Sequence, residues 1–249
     1  MTSKPTLGRL IGSGKEAEVF EHGQAVLKLY RSNIPKRSAF REAATLAIVE
    51  AFEVPAPRAI GVRQVGERWG VLMTRAEGQR FADALNLRPT MMPDYMREMA
   101  RLQLACHRHM AVLLPSLKLR LRENIRKATV LGTARQSALL KRLVEMPDGD
   151  RLCHGDFHPF NILETSGKVS IVDWLDAARG EPAADVCRSY VLMRSFDTTW
   201  ASTYVDAYAT ESGVSRDAIL AWLPIVAGAR MAEDVPAEAD TLMAMVDGA

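Results

Sequence analysis

Residues 7–30, LGRLIGSGKEAEVFEHGQAVLKLY, limit the fold more than any other part of the chain. They read as a strand, a glycine turn, a second strand, a short EHG turn and a third strand. Val26, Lys28 and Tyr30 alternate with Ala25, Leu27 and Leu29, which is the period of a strand. The residues after the glycines decide between architectures. A dinucleotide-binding crossover needs a helix straight after its glycine turn, and here the chain continues as AEVF, a strand. A Walker-type phosphate loop needs glycine five positions before Gly14 and Ser or Thr after Lys15. Those positions hold Arg9 and Glu16.

The next segments extend the same small sheet. Residues 36–53 read as a helix with an apolar face of Phe40, Ala43, Ala44 and Ala47, and Pro55 forces a stop nearby. Residues 58–76 read as a hairpin turning at Val65–Arg68. After Gly78 the pattern turns helical. Tyr95, Met99, Leu102, Cys106 and Met110 recur at helical spacing behind Pro93, and residues 119–145 form another amphipathic stretch. Two short strands come next, near 161–164 and 168–173, joined by TSG. Helices then fill 183–196, 198–211, 215–231 and 236–247. The expected class is α+β: a small antiparallel β lobe with one helix over 1–76, and a larger, mainly helical lobe over 77–249.

Composition sets the bounds. With 249 residues, 48% of them apolar, the chain can build one large domain or two small lobes with real cores. A net charge of +2 names no partner. No apolar run approaches a bilayer span, and the first ten residues lack the apolar core of a signal peptide. Cys106, Cys153 and Cys187 are scattered, without CxxC spacing, and read as reduced, buried thiols. A cytoplasmic protein without membrane or nucleic-acid partners is expected, a monomer or dimer. The basic stretch Lys118–Lys127 reads as a solvated helix face.

The densest chemistry lies in RLCHGDFHPFNIL, Arg151 to Leu163. His154, Asp156 and His158 suggest a metal cage, but such a cage needs further ligands, and the other histidines are only His22, His107 and His109. A phosphoryl-transfer loop places a catalytic Asp five residues before a metal-binding Asn, then a second Asp after a short hairpin. Asp156, Asn161 and Asp173 have that order and spacing. An acid and an amide oxygen suit Mg²⁺, a hard cation. The N-terminal half supplies the matching parts. Gly12, Gly14, Ala17 and Val19 fit GxGxxGxV with alanine for the third glycine, although an ordinary hairpin turn reads the same way. Lys28 is either an edge lysine with its head in water or a phosphate-binding lysine held by a helix glutamate. Glu42 is the expected partner and Glu50 the rival.

LCHGDFHPFNIL followed by IVDWLDAARGEPAADVCR resembles the aminoglycoside phosphotransferase and choline-kinase-like superfamily. The family's HGD-x-x-x-x-N loop maps to His154, Gly155, Asp156 and Asn161, and its metal aspartate to Asp173. Its downstream GDP..D element is similar to Gly180, Glu181, Pro182 and Asp185, and its upstream helix is similar to Arg41-Glu42-Ala43 with Val54-Pro55-Ala56-Pro57. The resemblance spans about residues 7–230 and implies a bilobal, protein-kinase-like fold that uses ATP, with GTP not excluded, and Mg²⁺. It implies that Asp156 takes the proton of an acceptor hydroxyl and that Asn161 and Asp173 hold the metal. Lys28, positioned by Glu42, neutralises the α/β-phosphates. Backbone amides around Gly12, Ser13 and Gly14 cover the phosphates. Val19, Val26, Met73, Leu163 and Val172 sandwich adenine, and Thr74 and Ala76 offer it backbone groups.

Around this core, His154 reads as structural and His158 as a packing or capping residue. Asp185 reads as a helix cap that braces the loop. Glu233, Asp234, Glu238 and Asp240 read as a solvated acidic terminus in preference to the lining of a cleft for a cationic substrate. Two departures touch the acceptor. GSGKEAEVF is closer to the GKEA loop of RIO-type atypical protein kinases, and Phe160 stands where small residues are common. A small-molecule kinase acting on an aminoglycoside, amino alcohol or sugar-like hydroxyl is the leading expectation. A RIO-like protein kinase or ATPase, and an inactive nucleotide-binding scaffold, are the rivals.

Overall fold

A computed structural model describes residues 7–248. Residues 1–6, part of the expected first lobe, lie outside the described residues. The chain forms two compact units. One runs to Arg80 and takes in Ile162–Leu175; the other comprises Phe81–Asn161 and the chain from Asp176 onward. The division expected at 76/77 therefore shifts, and a later segment joins the first unit. The reason is strand pairing. β6 (Gln79–Arg80) pairs antiparallel with β8 (Ile162–Thr165), which forms a hairpin with β9 (Lys168–Ile171). The amide of Ile171 also donates to the Pro55 carbonyl at 2.6 Å.

The first unit is built on β1 (Leu10–Ser13), β2 (Ala17–His22), β3 (Ala25–Tyr30), β4 (Ala59–Val65) and β5 (Arg68–Thr74). All pairs are antiparallel, in the order β1-β2-β3-β5-β4. β3 is the central strand and is buried on both faces, with Leu27 and Leu29 on one and Val26 and Tyr30 on the other. Each such side chain contributes roughly 1.5–3 kcal/mol by leaving water. Gly70, opposite Leu29, allows β5 its close approach: a Cβ there would lie 2.5 Å from the Lys28 carbonyl.

α1 (Arg37–Glu50) packs on β4 and β5. Its buried face is not the expected one. Ala39, Glu42, Thr45, Leu46 and Val49 face inward, while Phe40 is exposed and leans on Trp69 with ring centroids 5.6 Å apart. An apolar-only reading skips the acid in the stripe, and that acid is Glu42.

The second unit contains α2 (Phe81–Leu87), α3 (Met92–His107), α4 (Leu117–Lys127), α5 (Gly132–Glu145), β7 (Arg151–Cys153), β10 (Ala178–Gly180), α6 (Pro182–Arg194), α7 (Thr198–Ser212), α8 (Arg216–Leu220), α9 (Leu223–Arg230) and α10 (Ala239–Asp247). α6 is a core helix, buried on most sides, and packs against α7 and α9. α3 buries Met96, Met99, Ala100, Gln103, Cys106 and His107. Met99 and Cys106 sit where expected, but Met110 lies beyond the helix and is exposed. The amphipathic stretch over 119–145 is two helices, interrupted near Gly132, whose φ is 69°. The two short strands β7 and β10 pair Cys153 with Ala178 and support the loop after Cys153. The sequence reading missed both, because three residues are too few for a period to show. No helix of the described residues is long and apolar enough to cross a membrane.

Candidate active site

In the first unit three charged side chains meet. Lys28 Nζ donates to Glu42 Oε1 and to Asp173 Oδ1, each at 2.7 Å. Glu42, not Glu50, is the partner; Glu50 ends α1 exposed to solvent. Tyr30, two residues along β3, donates its hydroxyl to the other Glu42 oxygen at 2.6 Å. Burial pulls the Lys28 ammonium down, but the charges of Glu42 and Asp173 outweigh it and hold it above the ordinary lysine value. The two acids differ in access: the Glu42 side chain is 2% exposed and that of Asp173 42%. A ligand can therefore reach Asp173, while Glu42 is closed off from solvent. Asp173 has φ 65°, the left-handed region that Asp tolerates better than most residues, and this bend comes two residues after the end of β9.

The adenine-lining residues expected on the sheet share the Lys28 face. Val19 pairs with Lys28, and Met73 with Val26, so their side chains project to the same side. Leu163 and Val172 lie on and just after the β8–β9 hairpin. Two amides among the backbone groups expected to meet nucleotide are committed elsewhere. The Gly14 amide donates to the Ala17 carbonyl at 2.8 Å, and the Thr74 amide to the Arg58 carbonyl at 2.9 Å. In this conformation the glycine turn closes on itself, so Gly14 does not present the amide assigned to phosphate. Arg31, which the sequence reading overlooked, clamps this turn through Gly14 O (2.9 Å), Lys15 O (3.1 Å) and Ser13 Oγ (3.2 Å).

In the second unit Asp156 and Asn161 meet across one short turn. Asn161 Nδ2 donates to the Asp156 carbonyl at 2.9 Å and to its Oδ2 at 3.0 Å, which turns the Asn161 amide oxygen away from Asp156. His158 Nε2 lies 3.4 Å from the same Oδ2. Burial pushes the Asp156 carboxyl up, but the hydrogen bond and charge of His158, with Arg188 and His154, outweigh it and hold the group below the usual carboxylate range. His154 Nδ1 accepts the Asp156 amide at 3.2 Å, the structural role expected of it. Asp185 braces the loop as expected, but it is no helix cap. It lies inside α6, where Oδ1 takes the Gly155 amide at 2.8 Å and Oδ2 the His154 amide at 2.9 Å.

The metal cage of His154, Asp156 and His158 does not form. Among the described residues the one cluster of three such donors is His107, Cys153 and Asp185, all buried. There Asp185 is already occupied by N–H donors, and burial raises the Cys153 thiol well above its ordinary value. Glu233 and Glu238 are not a solvated terminus either. Arg188 holds Glu233 at 2.6 Å, Arg230 holds Glu238 through two bonds of 2.8 and 2.9 Å, and Arg230 also bonds Glu233. Arg188 reaches the Gly155 carbonyl at 3.2 Å as well.

Gly155 has φ 81°, and a Cβ there would strike the Asp176 carbonyl and, at 2.8 Å, the Arg120 guanidinium. Gly155→Ala is expected to cost about 1–3 kcal/mol from backbone strain alone, and to displace Asp156. Urea unfolding that matched the wild type would contradict this.

A family model spanning residues 8–222 matches the chain, which belongs to the APH phosphotransferase enzyme family. Among solved structures, choline kinase LicA from Streptococcus pneumoniae superposes with a TM-score of 0.66 at 13% identity, covering 98% of this chain and 92% of that one. A thermostable mutant of aminoglycoside phosphotransferase APH(4)-Ia gives 0.63 at 18%, covering 98% and 89%. Amicoumacin kinase hAmiN, in complex with AMP-PNP, Ca²⁺ and Ami, gives 0.67 at 13%, covering 97% and 87%. These likenesses establish the α+β, kinase-like fold. No curated protein sequence matches the chain.

Proposed function

We propose that the protein transfers the γ-phosphoryl group of ATP to a hydroxyl of a small molecule. The observation that carries this reading is the Asp156–Asn161 pair: an acid kept ionised, joined to an amide whose oxygen is left for a cation. Asp156 orients the acceptor hydroxyl. The acceptor oxygen bonds to the γ-phosphorus as the bond to the ADP oxygen breaks, and the hydroxyl proton passes to Asp156. An acid with depressed proton affinity takes that proton late, which suits a loose transition state with little nucleophile activation.

Lys28, fixed by Glu42, places positive charge for the α/β-phosphates. Asp173 and Asn161 are the proposed ligands of Mg²⁺; both offer oxygen, and Asp173 is open to solvent. When bound, Mg²⁺ would neutralise charge on the β- and γ-phosphates. Solved members of this fold in complex with AMP-PNP or ADP support nucleotide as the donor, and a structure of APH(4)-Ia in ternary complex with ADP and hygromycin B supports a small-molecule acceptor.

The test is a thermal-shift titration with Mg·ATP, followed by a panel of hydroxyl-bearing amines and sugars. A ligand that binds only the native state stabilises it by about 2.7 kcal/mol at one hundred times its Kd. Asp173→Ala is expected to lose most of the metal-dependent part. Unchanged Mg·ATP stabilisation in that variant would remove Asp173 from the metal. Transfer to protein with none to the panel would favour the RIO-like reading.

A further inference from the structure

Beneath the catalytic loop lies a polar cluster that takes no direct part in the proposed transfer. Gln103 and His107 come from α3, Tyr204 and Tyr208 from α7, and Asp185 and Ser189 from α6; all six are buried. Gln103 Nε2 donates to Asp185 Oδ2 at 2.8 Å, and His107 Nε2 lies 3.2 Å from the same oxygen. Behind each stands a tyrosine. Tyr208 Oη is 2.7 Å from His107 Nδ1, and Tyr204 donates to Gln103 Oε1. Chemistry sets the donor roles. An ionised Asp185 only accepts, so His107 carries its proton on Nε2, and Nδ1 is left to accept the Tyr208 hydroxyl. Two parallel arms, Tyr208–His107 and Tyr204–Gln103, thus end on one carboxylate oxygen. That carboxylate holds the amides of His154 and Gly155, the residues that precede Asp156.

Burying so many polar groups is costly unless each is satisfied, and a core helix pair could be filled by apolar side chains instead. We propose that Tyr204 and Tyr208 of α7 are positioning residues for phosphoryl transfer. They lock Gln103 and His107 onto Asp185, and Asp185 fixes the backbone from which Asp156 projects. The catalytic consequence rests on the phosphotransferase reading; the mechanical one does not.

The test uses the full chain with Tyr208→Phe, Tyr204→Phe, His107→Leu and His107→Gln, the last keeping an N–H donor. Two readouts are taken well below each variant's melting temperature: ADP release from Mg·ATP, and amide exchange of the peptide covering residues 151–157 against peptides from α1 and β3. Tyr208→Phe and His107→Leu are expected to lower kcat by about 10–100-fold, the usual cost of losing an outer-shell orienting group. KM for ATP should stay near the wild-type value and exchange at 151–157 should quicken, while α1 and β3 are unaffected. His107→Gln is expected to recover part of both effects. Unchanged exchange at 151–157 overturns the proposal. So does a loss of kcat that tracks the unfolded fraction, or an equal loss in His107→Gln and His107→Leu. A wild-type protein that releases no ADP defeats the phosphotransferase reading alone, and the exchange data still decide the relay.

Discussion

Asp156→Asn is expected to lower phosphoryl transfer by roughly 10²-fold or more while leaving Mg·ATP affinity nearly constant. The substitution keeps the side chain's shape and its place beside Asn161 but removes the proton acceptor. Asn161→Ala separates the roles, since it should weaken metal-dependent nucleotide binding instead. The pair is measured by steady-state transfer together with equilibrium titration of Mg·ATP. Equal losses of affinity in both variants would mean that Asp156 serves the metal. A transfer rate that survives in Asp156→Asn would remove the general base from the mechanism. Element analysis of the purified protein closes the remaining alternative, because zinc tracking with His154 and His158 would require a different chemistry.

The second large effect is expected at Lys28. Lys28→Met leaves Glu42, nearly inaccessible to water, with the Tyr30 hydroxyl as its one remaining partner among the described residues. Removing one member of a buried ion pair typically costs about 3–5 kcal/mol, because the surviving charge is uncompensated. Glu42→Gln alone should cost less, since Lys28 retains Asp173. The double variant should be more stable than Lys28→Met, as the stranded charge is gone, yet equally slow in transfer. Urea unfolding of the four proteins gives the coupling energy. Zero coupling would break the Lys28–Glu42 assignment despite the 2.7 Å contact.

Much of the site was legible because the chemistry is local in the chain. A five-residue separation brings Asp156 to Asn161 across one turn, so order and spacing suffice to find the pair. The first unit's strands were legible for a similar reason: short turns join neighbours, and β2, β3 and the β4–β5 hairpin are short apolar runs bounded by turn residues. Glu42 was found as a partner while the face of its helix was misread. Apolar periodicity cannot credit an acid with facing inward; only the ammonium of Lys28 and the hydroxyl of Tyr30 make that placement favourable.

By itself, the sequence determined the α+β class, the order of the candidate catalytic groups and the exclusion of the glycine-loop folds that need a helix next. Tertiary structure alone decided which groups support them. Gln103, His107, Tyr204 and Tyr208 read in the sequence as ordinary helix residues, about a hundred positions apart in the chain. They became a brace only when α3, α6 and α7 packed together. Asp185 was expected to brace the loop as a helix cap, but its place inside α6 and the two amides it holds about thirty residues upstream came only from the fold. The Gly14 amide, a plausible phosphate donor, turned inward to Ala17. The physical reason is the same in each case. A hydrogen bond's partner is set by where two backbones come to lie, and sequence spacing reports that only when both ends share one turn or one hairpin.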